Sequence, residues 1–127
     1  MNASLAQVEP AQPVVAVICR VPILGEAIAE ALDSFAVVRR FPGTGGDTSG
    51  LLRWLAPDAV VVDSRSDADA AAAYAERTDA HVVHVSLEDG TLRVLDGGNW
   101  NRPEGVAACP EGIRNVLVGG LFGRRKT

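Results

Sequence analysis

The chain has 127 residues, of which 47% are hydrophobic and 22% charged, and its formal net charge is −4. This length and apolar fraction predict one folded domain with a single core, and they argue against both a two-domain protein and a disordered segment. The acidic balance argues against a general nucleic-acid binder, because neutralising phosphates needs a basic face.

Targeting, membrane and metal signals are missing from the sequence pattern. Residues 1–13 lack a basic start followed by an apolar run, so we do not expect a secretory signal there. The longest apolar stretches, 14–19 and 116–122, are far shorter than the roughly 20 residues that span a bilayer. Cys19 and Cys109 do not have the spacing of a disulfide framework or a zinc site. We therefore expect a cytoplasmic protein with no metal, cofactor, nucleic-acid or membrane partner.

The hydrophobic pattern predicts alternating strands and helices as far as residue 87. Residues 1–13 have no periodicity and predict a flexible tail. Continuous apolar, β-branched runs are typical of strands buried on both faces, and they occur at 14–20 and 58–63. Two further strands are predicted at 36–41 and 81–87. Helical spacing or propensity marks 22–34, 51–55 and 67–77. This order predicts a three-layer α/β fold, an open parallel sheet with strand order 2-1-3-4.

The pattern changes after residue 87. A tight turn at 88–91 precedes an alternating segment at 91–96, and a second glycine turn leads to Trp100. These features predict an antiparallel hairpin that extends one edge of the sheet. A last amphipathic helix is predicted at 109–122, packed across the sheet. The single domain is thus expected at 14–123, with a basic tail at 124–127.

Three segments resemble the receiver domain of bacterial response regulators. The segment VVAVICRVPILGEAIAEAL resembles the first strand and helix of that family, AVVVDS at 59–64 resembles its third strand, and HVVHVS at 81–86 resembles its fourth. The resemblance implies a receiver-like or flavodoxin-like sheet. It places Asp63 at the phosphoacceptor position and Ser86 where the family usually has threonine or serine.

The chain departs from the receiver pattern at the groups that carry the chemistry. The family holds Mg²⁺ with two acids at the end of its first strand, where this chain has Cys19 and Arg20. The family also uses a lysine after its fifth strand, whereas the only lysine here is Lys126. The resemblance therefore implies a pseudo-receiver, a non-catalytic regulatory or protein-interaction module. Residual aspartyl-phosphate chemistry at Asp63 is the least favoured hypothesis.

A small anion or nucleotide binder is the alternative. Its crevice would be lined by Cys19, Arg20, Asp63 and Ser86, beside a glycine-rich loop at 43–50. The loop residues that could meet an anion are Gly43, Gly45, Gly46, Asp47 and Thr48. Each of these groups also has a structural interpretation that needs no ligand. Asp63 would cap a turn or pair with Arg20, and Ser86 would bind nearby backbone. Cys19 would pack in the core, and the loop would only connect two elements.

The hairpin and the last helix are the expected contact surface for a protein partner, and a second copy of the chain is one candidate. The residues expected at this interface are Leu92, Val94, Trp100, Leu117 and Leu121. Trp54, beside Leu52 and Leu55, is expected in the core or at an interface edge.

Overall fold

The computed structural model describes residues 12–43, 47–96 and 98–123, and for residues 121–123 it describes only the backbone. The strands are β1 (Val14–Cys19), β2 (Val37–Pro42), β3 (Ala59–Val62), β4 (His81–Ser86), β5 (Thr91–Asp96) and β6 (Asn99–Asn101). The helices are α1 (Pro22–Leu32), α2 (Thr48–Leu55), α3 (Arg65–Thr78) and α4 (Pro110–Gly123).

The strands form one mixed sheet in the order β2-β1-β3-β4-β5-β6. The first four are parallel, and β4, β5 and β6 pair antiparallel. The predicted order 2-1-3-4 and the hairpin at one edge are therefore confirmed. Because the chain turns back after β4, the sheet continues as an antiparallel hairpin rather than with a fifth parallel strand.

Helices cover the sheet on both faces, which makes three layers. Alternate strand residues point to opposite faces, so each strand contributes to two clusters. The first cluster is covered by α1 and α4 and includes Val15, Val17, Ile28, Val61, Ile113 and Leu117. The second is covered by α2 and α3 and includes Ile18, Leu52, Val60, Ala71 and Tyr74. The expected continuous burial is confirmed for β1 and β3, whereas β2 lies at the edge of the sheet with Arg39 and Arg40 exposed.

Two helices begin earlier than their apolar pattern predicts. The Asp47 carboxylate accepts the Gly50 N–H at 2.9 Å, which fixes the start of α2 at Thr48. Ser64 caps α3 in the same way by accepting the Asp67 N–H at 3.3 Å. Apolar periodicity does not register a polar first turn, so it places both starts too late.

Two of the expected interface residues belong to the core instead. Leu92 is 4% exposed and Leu117 is 1% exposed, so neither side chain offers surface to a partner. Both lie in the cluster beneath α1 and α4, where the pleat of β5 and the inner stripe of α4 point inward. Trp54 differs in the opposite sense, because it is 77% exposed on α2. Its expected place in the core is therefore wrong.

Several predicted features fall outside the described residues. These are most of the tail at 1–13, the loop glycines Gly45 and Gly46, the side chain of Leu121 and the basic segment 124–127. Within the described ranges, no helix has the length and apolar character needed to cross a membrane.

Candidate functional site

The carboxyl ends of β1 and β3 form the crevice where a ligand site is expected in an open α/β sheet. The helix after β1 packs on one face of the sheet and the helix after β3 packs on the other. Chains that leave adjacent strands in opposite directions open a crevice between them. The structure brings Arg20 and Asp63 together at this point.

The Asp63 carboxylate is bound by the backbone of the loop after β1. The Arg20 N–H donates to Oδ1 at 2.8 Å and to Oδ2 at 3.0 Å, and the Val21 N–H donates to Oδ2 at 3.1 Å. Both oxygens of the carboxylate are therefore engaged by N–H groups of the same chain. The contact ties the end of β3 to the end of β1.

The contact between Asp63 and Arg20 is made by backbone rather than by the guanidinium. Arg20 Nη2 instead donates to Ser66 Oγ at 3.4 Å, across the crevice at the start of α3. The expected proximity of the two residues is found, but the expected pairing of their charged groups is not among the described contacts. The N–H groups that would meet a bound anion in this loop hold Asp63.

A second carboxylate, Asp67, closes the crevice from the α3 side. It is 1% exposed, and its oxygens accept the Thr48 hydroxyl at 2.7 Å and the Ser64 hydroxyl at 2.9 Å. Gly43 passes so close that a Cβ there would lie 3.0 Å from Asp67 Oδ2 and 2.8 Å from Arg20 Cγ. The place of Asp67 in the first turn of α3 accounts only for a favourable charge at the helix start. The contact with Thr48, 19 residues away, carries no sequence signal.

Asparagine at position 67 is expected to leave the free energy of unfolding within about 1 kcal/mol of the original. A hydroxyl both donates and accepts, so Thr48 and Ser64 can reorient to bind one oxygen and one NH₂ group. Asp67→Ala removes both partners and lowers stability by about 2–4 kcal/mol. Urea unfolding of the two variants measures the difference. Equal losses in both would show that the hydroxyls require a carboxylate.

The polar groups of the glycine-rich loop also form hydrogen bonds within the chain itself. Asp47 binds the Gly50 N–H, the Gly43 N–H donates to the Cys19 carbonyl at 3.2 Å, and Thr48 binds Asp67. These contacts connect the loop to α2, β1 and α3. The described part of the loop thus acts as a structural connection, and an anion there would face the carboxylates of Asp47 and Asp67.

Ser86 serves the hairpin rather than the crevice. Its hydroxyl donates to Asp89 Oδ2 at 3.2 Å and accepts the Asp89 N–H at 3.3 Å. These are local contacts within the turn between β4 and β5. Ser86 is not joined to Arg20 or Asp63 by any contact in the described residues.

Cys19 lies at the base of the crevice as a buried thiol. Burial, together with the negative charges of Asp63 and Asp67, raises the pKa of Cys19 to about 12, although the Arg40 guanidinium acts in the opposite direction. Cys19 and Cys109 are both free thiols. A thiol that stays protonated at neutral pH is a poor nucleophile.

Cys19 is expected to react with iodoacetamide near neutral pH about a thousandfold more slowly than an ordinary thiol, because the raised pKa reduces its thiolate fraction by that factor. Cys109 is only half-buried and provides the internal control. Peptide mapping after a timed reaction measures both rates. Equal labelling of the two cysteines would contradict the burial of Cys19.

The crevice brings together carboxylates, hydroxyls and backbone amides that satisfy one another. Within the described ranges, no group of three histidine, cysteine, aspartate or glutamate side chains is placed to hold a metal ion. The chain matches no protein-family model, and neither a curated protein nor a solved structure matches it. The geometry of the chain itself is therefore the basis for a proposal about its function.

Proposed function

We propose that this protein is a receiver-like, non-catalytic module that acts by binding another protein. The observation that carries the proposal is the state of Asp63, whose two carboxylate oxygens accept three contacts from the Arg20 and Val21 N–H groups. A phosphoacceptor must present a free oxygen to the phosphoryl donor. Here the carboxylate serves as an anchor between β1 and β3.

The surroundings of Asp63 support the same proposal. The positions that hold Mg²⁺ in the receiver family are Cys19, a protonated thiol, and Arg20, a fixed cation. Repulsion between an incoming phosphoryl donor and the carboxylates of Asp63 and Asp67 would be left without a divalent cation to offset it. The receiver-like or flavodoxin-like relationship and a cytoplasmic location are parts of this proposal.

The hairpin side of the sheet is the proposed partner surface, without the expected residues Leu92 and Leu117, which are buried. Val94 and Trp100 are only partly buried and keep area to offer. Trp100 packs edge-on against His84, with ring centroids 6.0 Å apart and an interplanar angle of 68°. Burial lowers the pKa of His84, and the nearby Arg93 and Arg65 lower it further, which favours the uncharged ring. A held aromatic ring is a common anchor in protein interfaces.

Sedimentation velocity tests whether a second copy of the chain is the partner. At high micromolar concentration we expect a reversible dimer that Trp100→Ala abolishes. Trp54→Ala is the matched control, because it removes the other, more exposed tryptophan, which lies on α2 and not on the hairpin. A monomer in every case, or equal loss in both variants, would overturn self-association through this surface.

An anion binder is the second candidate, and one observation favours it. A pocket of about 390 Å³ beside the crevice is lined by Arg20 and Arg40, with Cys19 and Gly25 among its other walls. Guanidinium groups are suited to phosphate or carboxylate. If a nucleotide raises the melting temperature of the original chain but not that of Arg20→Ala, the result supports this candidate. If no nucleotide in a broad panel raises the melting temperature, the result counts against it.

A further inference from the structure

A groove of about 860 Å³ lies where β4 begins and β5 ends. Its walls come from three elements: α3, the β5–β6 hairpin and α4. The wall residues used below are Glu76, Asp79, Leu95, Asp96, Trp100 and Gly120. The groove exists because the chain forms a hairpin after β4, where a further strand and helix would otherwise pack beside α3.

The groove combines negative charge with an apolar wall. Glu76, Asp79 and Asp96 supply three carboxylates, while Leu95 and Trp100 supply apolar surface. None of the described residues that line it is a lysine or an arginine. Such a surface suits long cationic side chains, because their alkyl stems cover apolar groups while their charged ends reach carboxylates, and a guanidinium also stacks on tryptophan.

The end of α4 is fixed against this groove. A Cβ at Gly120 would lie 3.2 Å from His81 Nδ1, so the glycine lets α4 approach β4 closely. The helix ends at Gly123, about 4.5 Å further along its axis. The sequence continues with Arg124, Arg125 and Lys126, which lie outside the described residues.

We infer that the groove binds this basic segment, residues 124–126, of the same chain. The segment carries three positive charges and the groove carries three negative ones. The segment begins one residue after a helix that itself lines the groove, and three extended residues reach up to about 11 Å. Three exposed ion pairs of ordinary strength favour the bound segment over the free one by roughly tenfold at low ionic strength.

Binding of the basic segment affects function because the segment and a partner protein compete for the same surface. A partner that uses Trp100 must displace the basic segment, so the segment acts as a built-in competitor. This consequence rests on the proposed function, whereas the binding of the segment does not. The two can therefore fail separately.

Acrylamide quenching of Trp100 fluorescence tests the inference. The Trp54→Phe background leaves Trp100 as the single tryptophan, and the exposed position of Trp54 makes this replacement mild. The test variant carries Arg124→Glu and Arg125→Glu. The matched control carries Arg39→Glu and Arg53→Glu, which change the net charge equally at exposed positions on β2 and α2, outside the lining of the groove. Measurements are made in dilute solution, where sedimentation shows monomers.

At low salt we expect the test variant to expose Trp100 to quencher, as the bound fraction falls from roughly nine in ten to below one half. The control variant should quench like the parent chain. High salt should bring the parent to the level of the test variant, since the ion pairs are exposed. Unchanged quenching in the test variant, or an equal change in the control, would overturn the inference. Protection that appears only as concentration rises would also overturn it, because the segment of a second copy would then fill the groove.

Discussion

Replacing Asp63 by asparagine is expected to lower the free energy of unfolding by about 2–4 kcal/mol, because hydrogen bonds to a charged group are each worth about 1.5–3 kcal/mol. The Arg20 and Val21 N–H groups can only donate, and the Arg20 N–H contacts both carboxylate oxygens. Asparagine offers one oxygen, so in either orientation of the amide its NH₂ group faces the Arg20 N–H. Urea unfolding, monitored by circular dichroism, measures the loss.

The matched control for this substitution is Asp67→Asn. It makes the same chemical change at a carboxylate held by hydroxyls, which can reverse their polarity. The account predicts a large loss at Asp63 and a small one at Asp67, although Asp67 is the more deeply buried of the two. A neutral or stabilising Asp63→Asn would mean that the carboxylate is not an anchor, and would favour a functional role for it.

Replacing Leu117 by alanine is expected to lower the free energy of unfolding by about 2–5 kcal/mol, the range for truncating a buried leucine. Leu117 is 1% exposed and lies in the cluster that joins α4 to α1 and the sheet. The truncation leaves a cavity between layers that relax only in part. Urea or thermal unfolding measures this effect.

Val118→Ala provides the control on the same helix. Val118 is only half-buried and lies outside the two core clusters, so its truncation should cost less than about 1.5 kcal/mol. If Leu117→Ala instead left stability unchanged but altered self-association, the side chain would lie at an interface. That result would restore the expectation drawn from the sequence.

The order of the sheet was predictable because its signal is local. The two central parallel strands are short apolar runs, as at Ala59–Val62, and burial on both faces requires that pattern. The glycine turns at 88–91 and 97–99 likewise mark the hairpin in the sequence. The start of α3 was less predictable, since Ser64 acts through a single polar contact that apolar periodicity does not detect.

The site was only partly predictable because its contacts are long-range. Asp63 at the end of a strand was recognisable, but its partners, the N–H groups after β1, lie more than 40 residues away in sequence. Leu92 shows the same limit, since alternation places it on one face of β5 without saying that α4 covers that face. Trp54 is the converse case, because an apolar neighbourhood in sequence does not ensure burial.

The central claim is that this crevice is closed by the chain's own carboxylates. Asp47, Asp63 and Asp67 each occupy donors that an anion or a phosphoryl group would need. The polar groups at this edge of the sheet thereby stabilise the fold. Function is then expected at the hairpin side of the sheet.

Intact-mass spectrometry after incubation with Mg²⁺ and acetyl phosphate tests this claim most directly. The original chain and Asp63→Asn are treated in parallel, because the variant removes the only oxygen pair at the phosphoacceptor position. The account predicts that neither protein gains mass. Addition of one phosphoryl group to the original chain, absent from Asp63→Asn, would contradict the account and identify a working receiver.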